Sequence, residues 1–473
     1  MSFDSAYFFA TVAFAVLGTF LLPGAGMRAR LLLLISCAFY AAWEWRLLPV
    51  VLLISVVAWG GGLMLARARD PLARKHLLVW IIVLLALPLC VFKYTNFALA
   101  NLGQLLEWVG HWHISPVSLI LPVGISFFTF HAISYVVDVS EGRIPVEASL
   151  VRVSLYIAFF PHMIAGPIVR PHDFLPQVSG KWHVPQPAEV AAAMTRFLWG
   201  LAKKTFIADR LTVSLIDPIF ANPEAASPGL LLCGVLAFGV MIYADFSGYS
   251  DMAISTAGLM GIKFRENFLA PYTATSIREF WRRWHVSLSS WIRDYIYIPL
   301  GGSRSQAVAR RYGNLLLAMA LCGLWHGASW AFVLWGVLHG AALVVERMIA
   351  PVLPENILVR LLGWVATTMV VFTGWALFRA ADLSAFAIYV KALMTSQNVS
   401  PIHPMLMLFL AVSCAVVYLE QLVLRLMMAH PHGFVWLWRR TELQIIASVG
   451  LACFLLLLNY PEFGSRNFIY FQF

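Results

Sequence analysis

Charge is what this sequence has least of. Of 473 residues only 12% are Asp, Glu, Lys or Arg, whereas 61% are hydrophobic. A soluble domain normally carries about a quarter charged residues, so the scarcity excludes an ordinary soluble enzyme. The six cysteines (Cys37, Cys90, Cys233, Cys322, Cys414, Cys453) are scattered through apolar segments without CxxC spacing. That excludes a disulfide framework and a thiolate metal site, and leaves them as small core residues. GxSxG, Walker and HExxH patterns are absent, so no nucleophile elbow, phosphate loop or zinc-protease helix is expected. No internal repeat is visible, which argues against a transporter built from inverted repeats. No linker is long enough to attach a second soluble domain. Residues 1–473 therefore read as a single membrane domain with no metal site.

What fills the chain is apolar sequence. Runs fall near 5–23, 31–43, 47–66, 77–93, 116–137, 151–169, 190–207, 229–260, 312–348, 358–378, 404–428 and 442–460. Several approach or exceed the roughly 20 residues that cross a bilayer, and they are continuous, unlike the about 10-residue alternating segments of a membrane β-barrel. The pattern predicts an all-α polytopic membrane protein of about 11 or 12 spans, some short or re-entrant. The net charge of +10 belongs to loops between the runs. Arg28/Arg30, "RARDPLARKH" (67–76) and Arg143/Arg152 follow the first, third and fifth segments, which places those loops in the cytoplasm and the N-terminus outside. Asp4 and no basic residue precede the first run, so it reads as a span, not a cleaved signal.

Polar residues inside such runs are the candidates for function. "LCGLWHGASW" (321–330) holds His326 between two apolar stretches. Apolar surroundings favour a neutral imidazole, the form that accepts a proton, which suits general-base removal of a hydroxyl proton in acyl transfer. The plainer reading is a histidine hydrogen-bonded to a neighbouring helix, with Gly323, Gly327 and Ala328 allowing close approach. Both stay open on the residues alone. His339, 13 residues further on, would lie about 140° around one continuous helix, which points to a structural or supporting part.

"NFLAPYTATSIREFWRRWHVSLSSWIRDYIYIPLGG" (267–302) is the polar heart of the chain. Pro271 precedes a helix, Ser276 is the expected N-cap, and Glu279 completes a capping box. At about 100° per residue Phe280, Trp281, Trp284, Leu288, Trp291, Ile292 and Tyr295 share one stripe. Arg278, Arg282, Ser289 and Arg293 take another face, with His285 at the edge. Such a helix lies flat at the membrane boundary. It reads as an anchor with His285 as a rim residue and also as a basic surface for an anionic, phosphate-bearing donor, and both can hold together.

In "MIYADFSGYSDMAI" (241–254), Ser247 and Asp251 share a helix face whereas Asp245 and Asp251 do not. They read as a polar network holding helices together, or as the proton relay of a transporter. "FFPHMIAGPIVRPHDFLPQV" (159–178) has four prolines and must be broken; at membrane depth that requires burial in protein or a cavity wall. His162 and His172 have no metal partner at helical spacing.

These segments resemble the membrane-bound O-acyltransferase family, in its bacterial alginate- and cellulose-type branch for exopolysaccharide O-acetylation. The matching stretches are "LPVGISFFTFHAISYVVDV" (121–139), "FFPHMIAGPIVRP" (159–171), "YADFSGYSDMAI" (243–254), residues 267–302, "GLWHGASWAFVLWGVLHG" (323–340) and the ending "FIYFQF" (468–473). His131 departs from the polar residue expected there in alginate-type relatives. The resemblance implies a ring of spans around a central tunnel, with His326 and His285 catalytic. It also implies that Asn267, Trp284, Trp325, Arg282 and Ser287 bind substrate, beside the network of Asp245, Asp251 and Ser247. It further implies acetyl-CoA as acyl donor with no permanently bound cofactor, an extracytoplasmic SGNH-type acetyltransferase and exopolysaccharide machinery as partners, and a multi-pass location in the bacterial inner membrane. Two alternatives accompany it: D-alanyl transfer to teichoic acid, and a proton-coupled transporter using Asp245, Asp251 and His326.

Overall fold

A computed structural model describes residues 6–110, 114–304, 307–354, 356–399 and 403–430, together with residue 450. The apolar run at 442–460 and the ending 468–473 thus lie outside the described residues, Gly450 apart. Every regular element among the described residues is helical, as the apolar pattern requires of a chain in lipid, where backbone groups must be paired within the segment. Among the described residues six helices are long and apolar enough to cross a membrane: Ala25–Arg67, Pro71–Glu107, Pro228–Leu259, Trp330–Val352, Ile357–Arg379 and Pro404–Ala429. Shorter apolar helices cover Tyr7–Leu21, Ile125–Ser140 and Leu383–Thr395.

The two longest runs, each long enough for more than one element, resolve differently, and the proline-rich run is broken as its prolines require. The 229–260 run is one helix, whereas 312–348 holds two, Val308–His326 and Trp330–Ile349. The 151–169 run does not span as a helix. It breaks into Leu150–Ala158 and Phe160–Met163 before an extended stretch leads to the helix Pro171–Ser179, and residues 153–171 are all buried.

Contacts divide the chain into two compact units, Met1–Phe197 with Met252–Arg265, and Leu198–Asp251 with Glu266–Phe473. In the first unit, helix starts follow their local chemistry. The Asp70 carboxylate accepts from the Ala73 N–H at 2.7 Å and Pro71 opens the helix, an N-cap with proline where no amide is needed. The broken segment supplies this unit's core with Tyr156, Phe159 and Phe160, each 0% exposed. His162 meets the Tyr156 carbonyl at 2.9 Å, and His131 accepts from the Val169 N–H at 3.2 Å; their rings lie 4.4 Å apart. His172 is exposed, 3.6 Å from Asp138.

The second unit is organised by a hairpin of Val308–His326 and Trp330–Ile349. The chain reverses at Gly327–Ser329, and the Ser329 hydroxyl caps the second helix through the Ala331 N–H. Gly323 and Gly336 permit the close approach. A Cβ at Gly323 would collide with the Phe332 carbonyl, and one at Gly336 with the Met319 carbonyl. Small residues at a helix crossing let backbones meet in this way.

Candidate active site

The site lies within the second unit and is assembled from segments far apart in sequence. The amphipathic stretch begins as its sequence dictates: the Ser276 hydroxyl accepts from the Glu279 N–H at 3.1 Å, and the Glu279 carboxylate accepts from the Thr275 N–H at 2.7 Å. Phe280, Trp281, Trp284, Leu288, Trp291 and Ile292 are buried, Tyr295 is half-buried, and Arg278, Arg282 and Arg293 are exposed. The expected stripe is present. The single continuous helix is not. It stops at Arg283 and restarts at Val286, with His285 between them in the left-handed region at φ 43°. For a non-glycine residue that backbone costs on the order of 1–3 kcal/mol and persists only where its surroundings enforce it.

The turn carries His285 off the rim and into the interior, where it is 0% exposed. Asn267, also fully buried, holds it there. The Asn267 backbone carbonyl accepts from the Val286 N–H at 2.9 Å. Its side-chain carbonyl takes the Ser287 hydroxyl at 2.9 Å, the Ser287 N–H at 3.2 Å and His285 Nδ1 at 3.2 Å. The Asn267 amide donates to the Ser250 hydroxyl at 3.1 Å. An amide oxygen only accepts, so Nδ1 carries the proton and the lone pair of the neutral ring is on Nε2. Burial pushes the His285 pKa down to about 3, so the ring stays neutral at ordinary pH. Asn267 thus positions a histidine by fixing its tautomer, a more specific part than lining a pocket.

His326 ends the first hairpin helix and is 3% exposed. Its ring packs on Trp325 (4.9 Å between centroids), Trp335 (5.1 Å) and Phe378 (5.3 Å). Trp325 also lies 6.3 Å from His285, so one indole neighbours both histidines. Trp284 is held among Phe268, Phe280 and Trp375, with centroids 5.0, 5.7 and 4.8 Å away. His326, His285, Asn267, Ser287, Trp284 and Trp325 are therefore brought into one buried aromatic cluster, whereas Arg282 faces outward. His339 belongs with them: because the helix turns back at Gly327, the rotation expected for a continuous helix does not apply, and the fully buried His339 ring has its centroid 4.9 Å from that of Trp335.

The aspartates have partners that the sequence pattern did not reveal. Lys203 Nζ lies 2.7 Å from Asp251 and 2.8 Å from Glu420, and Lys204 Nζ lies 2.7 Å from Asp209 and 2.9 Å from Asp245. Ser247 is buried on the same helix as the aspartates. The available signal was charge inside apolar runs, Lys203 and Lys204 in 190–207 and Glu420 in 404–428, which demands counter-charges. Which lysine meets Glu420 depends on pairing across 217 residues.

The chain matches the model of the membrane-bound O-acyltransferase family over residues 77–372. It is 40% identical over 390 residues to the probable alginate O-acetylase of Pseudomonas aeruginosa, covering 81% of this chain and 73% of that protein. It is 34% identical over 404 residues to the peptidoglycan O-acetyltransferase of Helicobacter pylori, covering 79% and 75%. A shorter match, 28% over 243 residues, relates it to the teichoic acid D-alanyltransferase of Bacillus subtilis, covering 48% and 59%. His326, His285 and Asn267 all fall inside the family match.

Proposed function

The chain belongs to the membrane-bound O-acyltransferase family, and from that premise we propose that it moves acetyl groups from cytoplasmic acetyl-CoA to an extracytoplasmic hydroxyl for exopolysaccharide O-acetylation. The observation that carries this reading is the pair of buried histidines flanking Trp325, one of them locked in a single tautomer by Asn267. The likeness to an alginate O-acetylase supports acetyl as the group moved and a polysaccharide as its destination.

In this mechanism the acceptor hydroxyl oxygen bonds to the thioester carbonyl carbon while its proton passes to His326. The carbon–sulfur bond then breaks, and the departing thiolate takes the proton, returning the imidazole to its neutral form. His285 offers the Nε2 lone pair to an N–H or O–H of one substrate. Burial keeps the ring neutral, so Nε2 is an acceptor and not a donor. A buried base suits the chemistry, because excluding bulk water limits hydrolysis of the thioester. The acceptor is a serine of an SGNH-type acetyltransferase outside the cytoplasmic membrane, which passes the group on to the polymer; the chain itself resides in the inner membrane.

The test is His326→Ala in a strain lacking the native copy. General-base removal lowers turnover by about 10²–10⁴-fold, so ester content of the polymer, read by mass spectrometry, should fall below detection while the full chain still accumulates in the membrane. Unchanged acetylation would overturn the reading. Loss of D-alanyl esters in place of acetyl would transfer it to the teichoic acid substrate.

A further inference from the structure

Beside His326 lies a second polar site that the two-histidine mechanism leaves unused. His339 is 0% exposed, and among the described residues neither ring nitrogen has a hydrogen-bond partner; the indole N–H groups of Trp335 and Trp281 are likewise buried without one there. The three side chains are neighbours, with His339 4.9 Å from Trp335 and 5.3 Å from Trp281, and the two indoles 5.7 Å apart. Trp335 in turn touches His326 at 5.1 Å. Each buried polar group left unmatched costs about 1–3 kcal/mol, so three in one spot require an explanation that packing does not give.

Gly374 lies against the same two rings. A Cβ there would stand 2.9 Å from His339 Nε2 and 3.3 Å from Trp335 Nε1, so both nitrogens face the same stretch of side-chain-free backbone. A neutral imidazole brings one N–H and one acceptor, and the indoles bring two more N–H groups. The set is donor-rich and uncharged, so it matches a single oxygen acceptor better than a cation, an anion or a hydroxyl-rich sugar.

We propose that His339 and Trp335 form a binding site for one carbonyl oxygen, that of the acyl thioester, next to the base His326. The inference rests on the transfer reading above. As the hydroxyl adds to the carbonyl carbon, the oxygen gains negative charge, and preorganised N–H donors in a water-poor site stabilise it most at that moment. Hydrogen bonds that strengthen on the way to the transition state act on kcat more than on KM.

The experiment compares thiol release from acetyl-CoA by membranes carrying the full chain, with His339→Phe, Trp335→Phe and His326→Ala variants at matched accumulation. Each aromatic replacement keeps a ring and removes the N–H. The expected result is a loss of about 10²-fold in maximal rate for His339→Phe, with the KM for acetyl-CoA within about twofold of wild type and partial recovery in His339→Gln. Because both donors hold one oxygen, the double variant should lose little more than the worse single one. Wild-type rates in His339→Phe with a lowered melting temperature would mean that the nitrogens hold only a resident water, and would overturn the proposal. So would additive losses. If His339→Phe fails to accumulate, Trp335→Phe decides alone: a rate within about twofold of wild type sinks the site, and a large loss with unchanged KM supports it. An active His326→Ala would instead remove the transfer reading itself.

Discussion

Two polar clusters lie buried in the second unit, and they are composed in opposite ways. Around residues 203–251 each lysine sits between two carboxylates, Lys203 with Asp251 and Glu420, Lys204 with Asp209 and Asp245. Around His285, His326 and His339 the polar atoms are neutral: ring nitrogens, indole N–H groups, a hydroxyl and one carboxamide. Full charges in a low-dielectric interior survive only with counter-charges at contact distance, and groups so committed are poor reagents. Neutral imidazoles tolerate burial at smaller cost and keep a lone pair and a proton to exchange. The first cluster joins helices; the second is where a small acyl group can be handled.

Substitutions should separate the two. The largest effect on folding is expected from Lys203→Met, which strands Asp251 and Glu420. Removing one member of a buried pair costs about 3–5 kcal/mol, so the full chain should be depleted from membranes and melt earlier in detergent. The triple change with Asp251→Asn and Glu420→Gln should recover much of that loss. If Lys203→Met accumulated normally yet abolished acetylation, the ionic cluster would belong to the chemistry and the contrast would fail.

Next in size is Asn267→Ala. It removes the acceptor that fixes His285 Nδ1–H, a deficit of about 1–3 kcal/mol, which on turnover is roughly 5- to 150-fold. Acetylation should fall by that factor, with melting temperature moving less than in Lys203→Met. Equal losses in both would erase the distinction between positioning and support.

A pH comparison sharpens the picture further. His285 titrates near 3 in the folded chain and near 6.5 when unfolded. Below 6.5 the unfolded chain therefore binds the extra proton, and folding stability declines as pH falls from 6.5 toward 3 and is level above. The melting temperature of the wild type should drop more between pH 7 and pH 5 than that of His285→Gln; parallel curves would contradict the buried neutral ring. The smallest effect is expected from Arg282→Ala. Its side chain is exposed, so stability should stay within about 0.5 kcal/mol, and any rise in the KM for acetyl-CoA should vanish in high salt.

Much of this could be read from one strand of letters. Long continuous apolar runs dictated helices, because in lipid the other way to pair every amide, a closed barrel, needs short alternating segments, and His326 announced itself by interrupting one of them. Ser276 and Glu279 marked a helix start that their side chains then make. The ordered motifs from 121 to 340 pointed to the family. Other features had no local signature. "RRWHVSLSS" contains neither glycine nor proline, so nothing marked the break that turns His285 inward.

What the sequence by itself determined is the class of the protein: helical, membrane-embedded, an acyltransferase, with a histidine set inside an apolar run. Tertiary structure decided which groups meet. The left-handed turn at His285, the clamp from Asn267, the lysines that neutralise Asp245 and Asp251, and the packing of Trp335 on His326 across the hairpin all depend on contacts between separate elements. The reason is physical. Periodicity and composition are properties of neighbouring residues, whereas a hydrogen bond or an ion pair across 217 residues exists only after the helices have packed.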